Sequence, residues 1–90
     1  MQQAFYLTVT GQVQGVGYRL WFAKQAQAKD LRGYVKNLSN GDVEAVLIGE
    51  RSAVQEMLDQ SLLGPQASKV TYLNYQSYDQ TNYTDFQILR

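Results

Sequence analysis

The stretch "GYVKNLSNGDVEAVLIG", Gly33 to Gly49, consists of two apolar, alternating runs meeting at Asn40-Gly41. Asn-Gly between two such runs is a strong short-range hairpin signal, because both residues tolerate positive φ. The reading puts two antiparallel strands, "GYVKNL" and "DVEAVLIG", side by side in the middle of the chain. What flanks this hairpin on each side decides the fold.

Upstream, "AFYLTVT" (Ala4 to Thr10) alternates Phe5, Leu7 and Val9 with Tyr6, Thr8 and Thr10, as a strand with one buried face does. "LWFAKQAQAKDL" is rich in alanine and lysine and free of Gly and Pro, which predicts a helix from about Tyr18 or Arg19 to Leu31. Phe22, Ala23 and Ala26 share its apolar face, and Lys29 falls near the same side, where its methylene stem can cover the core edge with the ammonium in water. Downstream, Ser52 with Gln55 makes a capping box, Val54, Met57, Leu58 and Leu62 form an apolar stripe, and Gly64-Pro65 stops the helix. "KVTYLNYQSY" reads as a fourth strand and "DFQILR" as a short fifth, with "DQTNY" as the turn between them.

Strand, helix, hairpin, helix, strand is two βαβ-like halves whose helices return to one sheet. This is the ferredoxin-like α/β sandwich of the α+β class, βαββαβ plus a short C-terminal strand, with both helices on one face of an antiparallel sheet. Right-handed crossovers give the four main strands the order 4-1-3-2. No repeat or linker divides residues 1–90, so a single domain is expected. A fold of this kind hosts many unrelated activities, so function has to be argued from a site.

Composition removes several classes of function. Eight Lys+Arg balance eight Asp+Glu, so no global basic field gathers nucleic acid or anionic membrane, and neither partner is expected. The start "MQQAFYLTVTG" lacks the features of a signal peptide, and no apolar run reaches membrane-spanning length, so a soluble cytoplasmic protein is expected. With no cysteine and no histidine there is no thiolate nucleophile, no Ser-His-Asp triad, no ordinary zinc site and no imidazole base. The carboxylates are scattered without the spacing of a calcium loop, so no metal and no cofactor is expected.

Chemistry concentrates in "GQVQGVGYR", Gly11 to Arg19. Its glycine spacing is not G-x-G-x-x-G, and no Gly-Lys-Ser/Thr follows, so both nucleotide-loop readings fail. A glycine-rich turn from strand to helix can still aim consecutive backbone N–H groups at one point, where the helix start adds partial positive charge. Arg19 at that start opposes the helix dipole, and a bound dianion would reverse the sign. Its planar fork grips phosphate oxygens in two-point fashion. The plainer alternative is that Gly15 and Gly17 only supply positive φ and Arg19 is a solvated surface residue. Asn37 is a second candidate, against the ordinary role of an Asn that caps or turns backbone beside a hairpin. Asn40 is explained by the turn, Lys36 by a solvated face, and Tyr72, Tyr75 and Tyr78 by a half-buried sheet at least as well as by base stacking.

"GQVQGVGYR" followed by "GYVKNLSNGDVEAVLIGE" closely resembles the acylphosphatase family, whose usual pattern is G-x-V-Q-G-V-G-F-R and then G-W/Y-V-x-N-x-x-D/N-G-x-V-E. The resemblance extends over the whole chain, including Ala26, Gly64-Pro65 and the closing "DFQILR". Departures are mild: Gln12 where Arg is frequent, Tyr18 for Phe, Lys29 and Asp30 where an aliphatic residue and a glycine are common, and Ser39 for Pro. The resemblance implies that Arg19 and the loop amides of Gly15, Val16, Gly17, Tyr18 and Arg19 bind a phosphoryl group, and that Asn37 orients an attacking water. It further implies metal-free hydrolysis of small-molecule acyl phosphates to carboxylate and inorganic phosphate; separately, a monomer is expected. The missing histidine is then no objection, since a carboxylate leaving group needs no general acid. Two other classes compete: a non-catalytic anion-binding module, which has no use for an ordered water, and a single-strand RNA binder, against which the neutral charge argues.

Overall fold

The computed structural model describes residues 1–79 and 82–90. In chain order the elements are β1 (Gln2–Gln12), α1 (Tyr18–Ala28), β2 (Arg32–Asn37), β3 (Val43–Glu50), α2 (Arg51–Leu63), β4 (Lys69–Ser77) and β5 (Phe86–Ile88). They form one sheet in the order β4-β1-β3-β2-β5, with the four main strands antiparallel as expected and β5 added parallel to β2. The turn anticipated at "DQTNY" includes residues 80 and 81, which lie outside the described residues.

Alternation along the strands sets the layers. Leu7 and Val9 of β1, Val35 of β2, and Val43, Ala45 and Leu47 of β3 turn to the helix side, where Phe22, Ala23 and Ala26 of α1 and Val54, Met57 and Leu58 of α2 complete one core. Each fully buried Val, Leu or Phe side chain there is worth roughly 1.5–3 kcal/mol of transfer free energy. The opposite face of β3 is also dry: Val46 and Ile48 are fully buried. Tyr6 and Tyr34 stand opposite Val46 on the two neighbouring strands, and the Tyr83 ring lies 5.9 Å from that of Tyr34. Arg32 Nη1 donates to the Tyr83 carbonyl at 3.3 Å, which holds this segment beside β2.

The elements differ from the sequence reading at four places. At the hairpin only Gly41 adopts positive φ (98°): Gly41 N–H donates to the Leu38 carbonyl (3.2 Å) and Leu38 N–H to that of Asp42 (2.8 Å), a three-residue connection. Helix α1 stops at Ala28 rather than Leu31, because Asp30 N–H bonds the Gln27 carbonyl and Leu31 N–H that of Ala26 (3.1 and 3.0 Å) while Asp30 sits at φ 57°. That is a Schellman stop with aspartate where glycine is easiest. The Ser52–Gln55 capping box does not form: the N-cap of α2 is Glu50, two residues before Ser52, with no side-chain cap, and Gln55 Nε2 donates to Gln3 Oε1 instead (3.0 Å). Finally, Leu62 is 51% exposed, and buried Ser61 takes its place on the inner face, its hydroxyl donating to the Met57 carbonyl at 2.7 Å.

Lys29 packs its stem at the α1–α2 boundary as expected, but its ammonium donates to Gln60 Oε1 (2.8 Å) rather than standing in water alone.

Candidate active site

The site lies where β1 turns into α1. Val13, almost fully buried, anchors the start of the connection in the core, and Gly15 and Gly17 then take left-handed backbone conformations, φ 74° and 80°. A Cβ at either would meet nothing within 4 Å, so conformation rather than crowding asks for glycine. An L-residue there would add about 1–2 kcal/mol of strain. Gly17 is also the N-cap of α1, which has no side-chain cap and no acidic residue in its first turn. The first helical bond runs from Trp21 N–H to the Gly17 carbonyl (3.0 Å), so the amides of Tyr18, Arg19 and Leu20 have no partner within the helix. An uncapped helix start carrying an arginine is electropositive and suited to an anion.

Facing it is Asn37, the last residue of β2. Gln14 Nε2 donates to the carbonyls of Leu38 and Asp42, both at 2.8 Å, and so staples the glycine loop to the base of the hairpin that carries Asn37. Gly15, Gly17, Tyr18, Arg19 and Asn37 then line one pocket of about 260 Å³. Val16, between the glycines, turns its side chain partly onto the core. Among the described residues, Asn37 Oδ1 is the one buried side-chain polar atom without a hydrogen-bond partner. An unsatisfied buried acceptor costs about 1–3 kcal/mol, and such groups collect where a ligand or water is to be held.

Arg19 is not a free surface cation: its Nη1 donates to the Leu89 carbonyl at 3.0 Å, and Leu89 is placed by its own N–H bond to the Val35 carbonyl at 2.9 Å. Tyr18, next in line, is buried, with its hydroxyl donating to the Ser61 carbonyl of α2 at 2.7 Å. Burial pushes that hydroxyl well above the ordinary tyrosine range, so it stays a neutral donor.

Sequence reasoning missed Gln14, Leu20, Ile88 and the Leu89 carbonyl. Gln14 left a weak signal, a polar side chain in an otherwise uncharged loop. Leu20 and Ile88 carried none, because their presence at the pocket depends on how β5 docks beside β2 and α1.

Away from the pocket, Glu44 on the helix-free face accepts from the hydroxyls of Tyr6 (2.6 Å) and Tyr34 (2.8 Å), with Lys36 Nζ at 3.7 Å. Burial works to raise the Glu44 carboxyl, but these hydrogen bonds and the lysine charge outweigh it and leave it below the usual range. Tyr72 and Tyr75 are exposed on opposite sides of β4, opposite Thr10 and Leu7 respectively, and make no common stacking platform. Among the described residues no group of three or more Asp or Glu side chains stands where it could hold a metal ion, and no helix is long and apolar enough to cross a membrane.

The family model for acylphosphatase matches residues 5–88. An acylphosphatase of Coxiella burnetii is 37% identical over 87 residues, covering 97% of this chain and 92% of that protein. The solved structure of an acylphosphatase from the same organism superposes with a TM-score of 0.94 at 36% identity, covering 98% of this chain and 93% of that one. The crystal structure of acylphosphatase from Bacillus subtilis also gives 0.94, at 31% identity over the full length of both chains.

Proposed function

The chain belongs to the acylphosphatase family and is an enzyme that hydrolyses acyl phosphates; from that premise we propose that Arg19 and the amides of residues 15–19 hold the phosphoryl group, and that Asn37 holds the water that attacks it. The observation that carries the assignment is the orphaned, buried Oδ1 of Asn37 in the pocket that Arg19 lines.

The steps follow from the groups present. The loop amides and the Arg19 guanidinium bind the phosphoryl oxygens and balance their charge, which is most of what phosphoryl transfer demands. Asn37 Oδ1 accepts a hydrogen bond from water and fixes its position without removing its proton. The water oxygen attacks phosphorus, the bond from phosphorus to the acyl oxygen breaks, and its electron pair leaves on the carboxylate. The water's proton passes to a phosphoryl oxygen, giving inorganic phosphate. The departing carboxylate is stable unprotonated, so no general acid acts on it. The guanidinium supplies the cationic charge, and no metal ion takes part.

The reading extends to a monomeric, single-domain enzyme over residues 1–90 acting in the cytoplasm. The test is hydrolysis of benzoyl phosphate with and without EDTA. Equal turnover in both is expected, and a strict requirement for added Mg²⁺ overturns the metal-free mechanism.

A further inference from the structure

We propose that Leu20 and Ile88 form an apolar subsite for the acyl group, making the enzyme selective for aromatic and aliphatic acyl phosphates over those with charged acyl groups. The inference rests on the phosphoryl site proposed above. If the phosphoryl group lies among Gly15, Gly17, Arg19 and Asn37, the acyl group extends toward the remaining lining, which is Val13, Tyr18, Leu20 and Ile88; Tyr18 is almost fully buried and its hydroxyl is taken up by the Ser61 carbonyl. Val13 is almost fully buried and forms floor, whereas Leu20 is 54% exposed and Ile88 43% exposed. Leu20 sits in the first turn of α1 and Ile88 on β5, so two half-hydrated aliphatic side chains from distant parts of the chain share one pocket.

Single exposed leucines are ordinary on a protein surface, but a pair lining a pocket beside an anion cradle marks a place for apolar ligand surface. The pocket, at about 260 Å³, is also larger than a phosphoryl group alone fills. Among the described residues Arg19 is the only charged side chain lining it, and its guanidinium is already assigned to the phosphoryl group. An acyl group bearing an ammonium or carboxylate would lose hydration there without a counter-charge. A phenyl or alkyl group would instead displace water from Leu20 and Ile88. Because such contacts form equally in ground and transition states, selectivity is expected mainly in KM.

The experiment measures kcat and KM for benzoyl, acetyl and succinyl phosphate in the parent, Leu20→Ser and Ile88→Thr, with folding checked by circular dichroism and inhibition by inorganic phosphate measured alongside. Benzoyl phosphate is expected to exceed acetyl phosphate in kcat/KM by about tenfold or more in the parent, with succinyl phosphate lowest. Each substitution is expected to lower the benzoyl-to-acetyl ratio by about three- to tenfold, chiefly through the KM for benzoyl phosphate, while phosphate inhibition moves less than about twofold. A ratio unchanged in both folded variants, or equal kcat/KM for all three substrates in the parent, overturns the subsite and leaves the catalytic assignment standing. Failure of the parent to hydrolyse any of the three overturns that assignment and the subsite with it.

Discussion

The Tyr18 hydroxyl donates to the Ser61 carbonyl at 2.7 Å, and the residue four positions beyond Ser61 is Pro65, which has no N–H to give. Tyr18 therefore supplies the donor that the end of α2 lacks, and in doing so ties the first residue of α1, next to Arg19, to the second helix. Removing the hydroxyl strands a buried carbonyl. Tyr18→Phe is expected to destabilise the protein by about 1–3 kcal/mol in urea unfolding, with little change in m-value.

Asn37 carries the opposite balance. Its buried acceptor has no partner until water or substrate arrives, so Asn37→Ala is expected to keep or raise the melting temperature while lowering kcat about 100- to 1000-fold. Phosphate affinity should persist. Parent-like turnover in this variant would remove Asn37 from the mechanism.

Arg19 at the start of α1 opposes the helix dipole until an anion binds. At inorganic phosphate of 100 times Kd the parent should gain about 2.7 kcal/mol, a rise in melting temperature on the order of 10 °C. Arg19→Ala should show almost none of that rise, and Arg19→Lys only part of it, since lysine keeps the charge but not the fork. Thermal denaturation with and without phosphate makes the comparison.

The folded state holds the Glu44 carboxyl below its ordinary value. A carboxyl so depressed contributes stability that is fully present above the unfolded-state value and is lost as pH falls through the folded one. The hydrogen bond to Glu44 first, and burial second, push the Tyr6 hydroxyl up to about 12, so this partner stays protonated throughout the acid range. Melting temperature should thus decline on acidification below about pH 4.3, and Glu44→Gln should make that decline shallower. An unchanged acid limb in Glu44→Gln would show that other carboxylates carry it.

Asp30 ends α1 at φ 57°, where a Cβ is strained. Asp30→Gly should relieve that strain and raise stability by about 0.5–1 kcal/mol, net of the greater freedom glycine gives the unfolded chain. Chemical denaturation midpoints measure the difference.

Where the sequence was legible, the signal was local. Alternation in "AFYLTVT" and "DVEAVLIG" marked β1 and β3, and Gly64-Pro65 marked the end of α2. It misled where two local signals competed. Ser52–Gln55 has the spacing of a capping box, but the Glu50 carboxylate accepts from the Met1 amine at 2.9 Å and the Arg51 N–H bonds the Met1 carbonyl at 2.8 Å, which moves the helix start. Leu62 looked like a core residue by its spacing from Val54, Met57 and Leu58. At the end of α2 the inner position is taken by Ser61, one turn beyond Met57, and Leu62 faces outward.

The fold class and the glycine loop before α1 could be read from the chain itself, since strand alternation, helix stops and turn residues act over a few positions, while the pairing of Arg19 with Asn37 came from the family resemblance of their two motifs. What surrounds that pair is set by the folded chain. Gln14 reaches the hairpin, Leu89 bonds Arg19, and Ile88 meets Leu20 at the pocket through strand pairing between β2 and β5, which are about fifty residues apart in sequence. Contacts of that range depend on the register of the assembled sheet, and a one-residue slip of β5 would turn Ile88 to the other face.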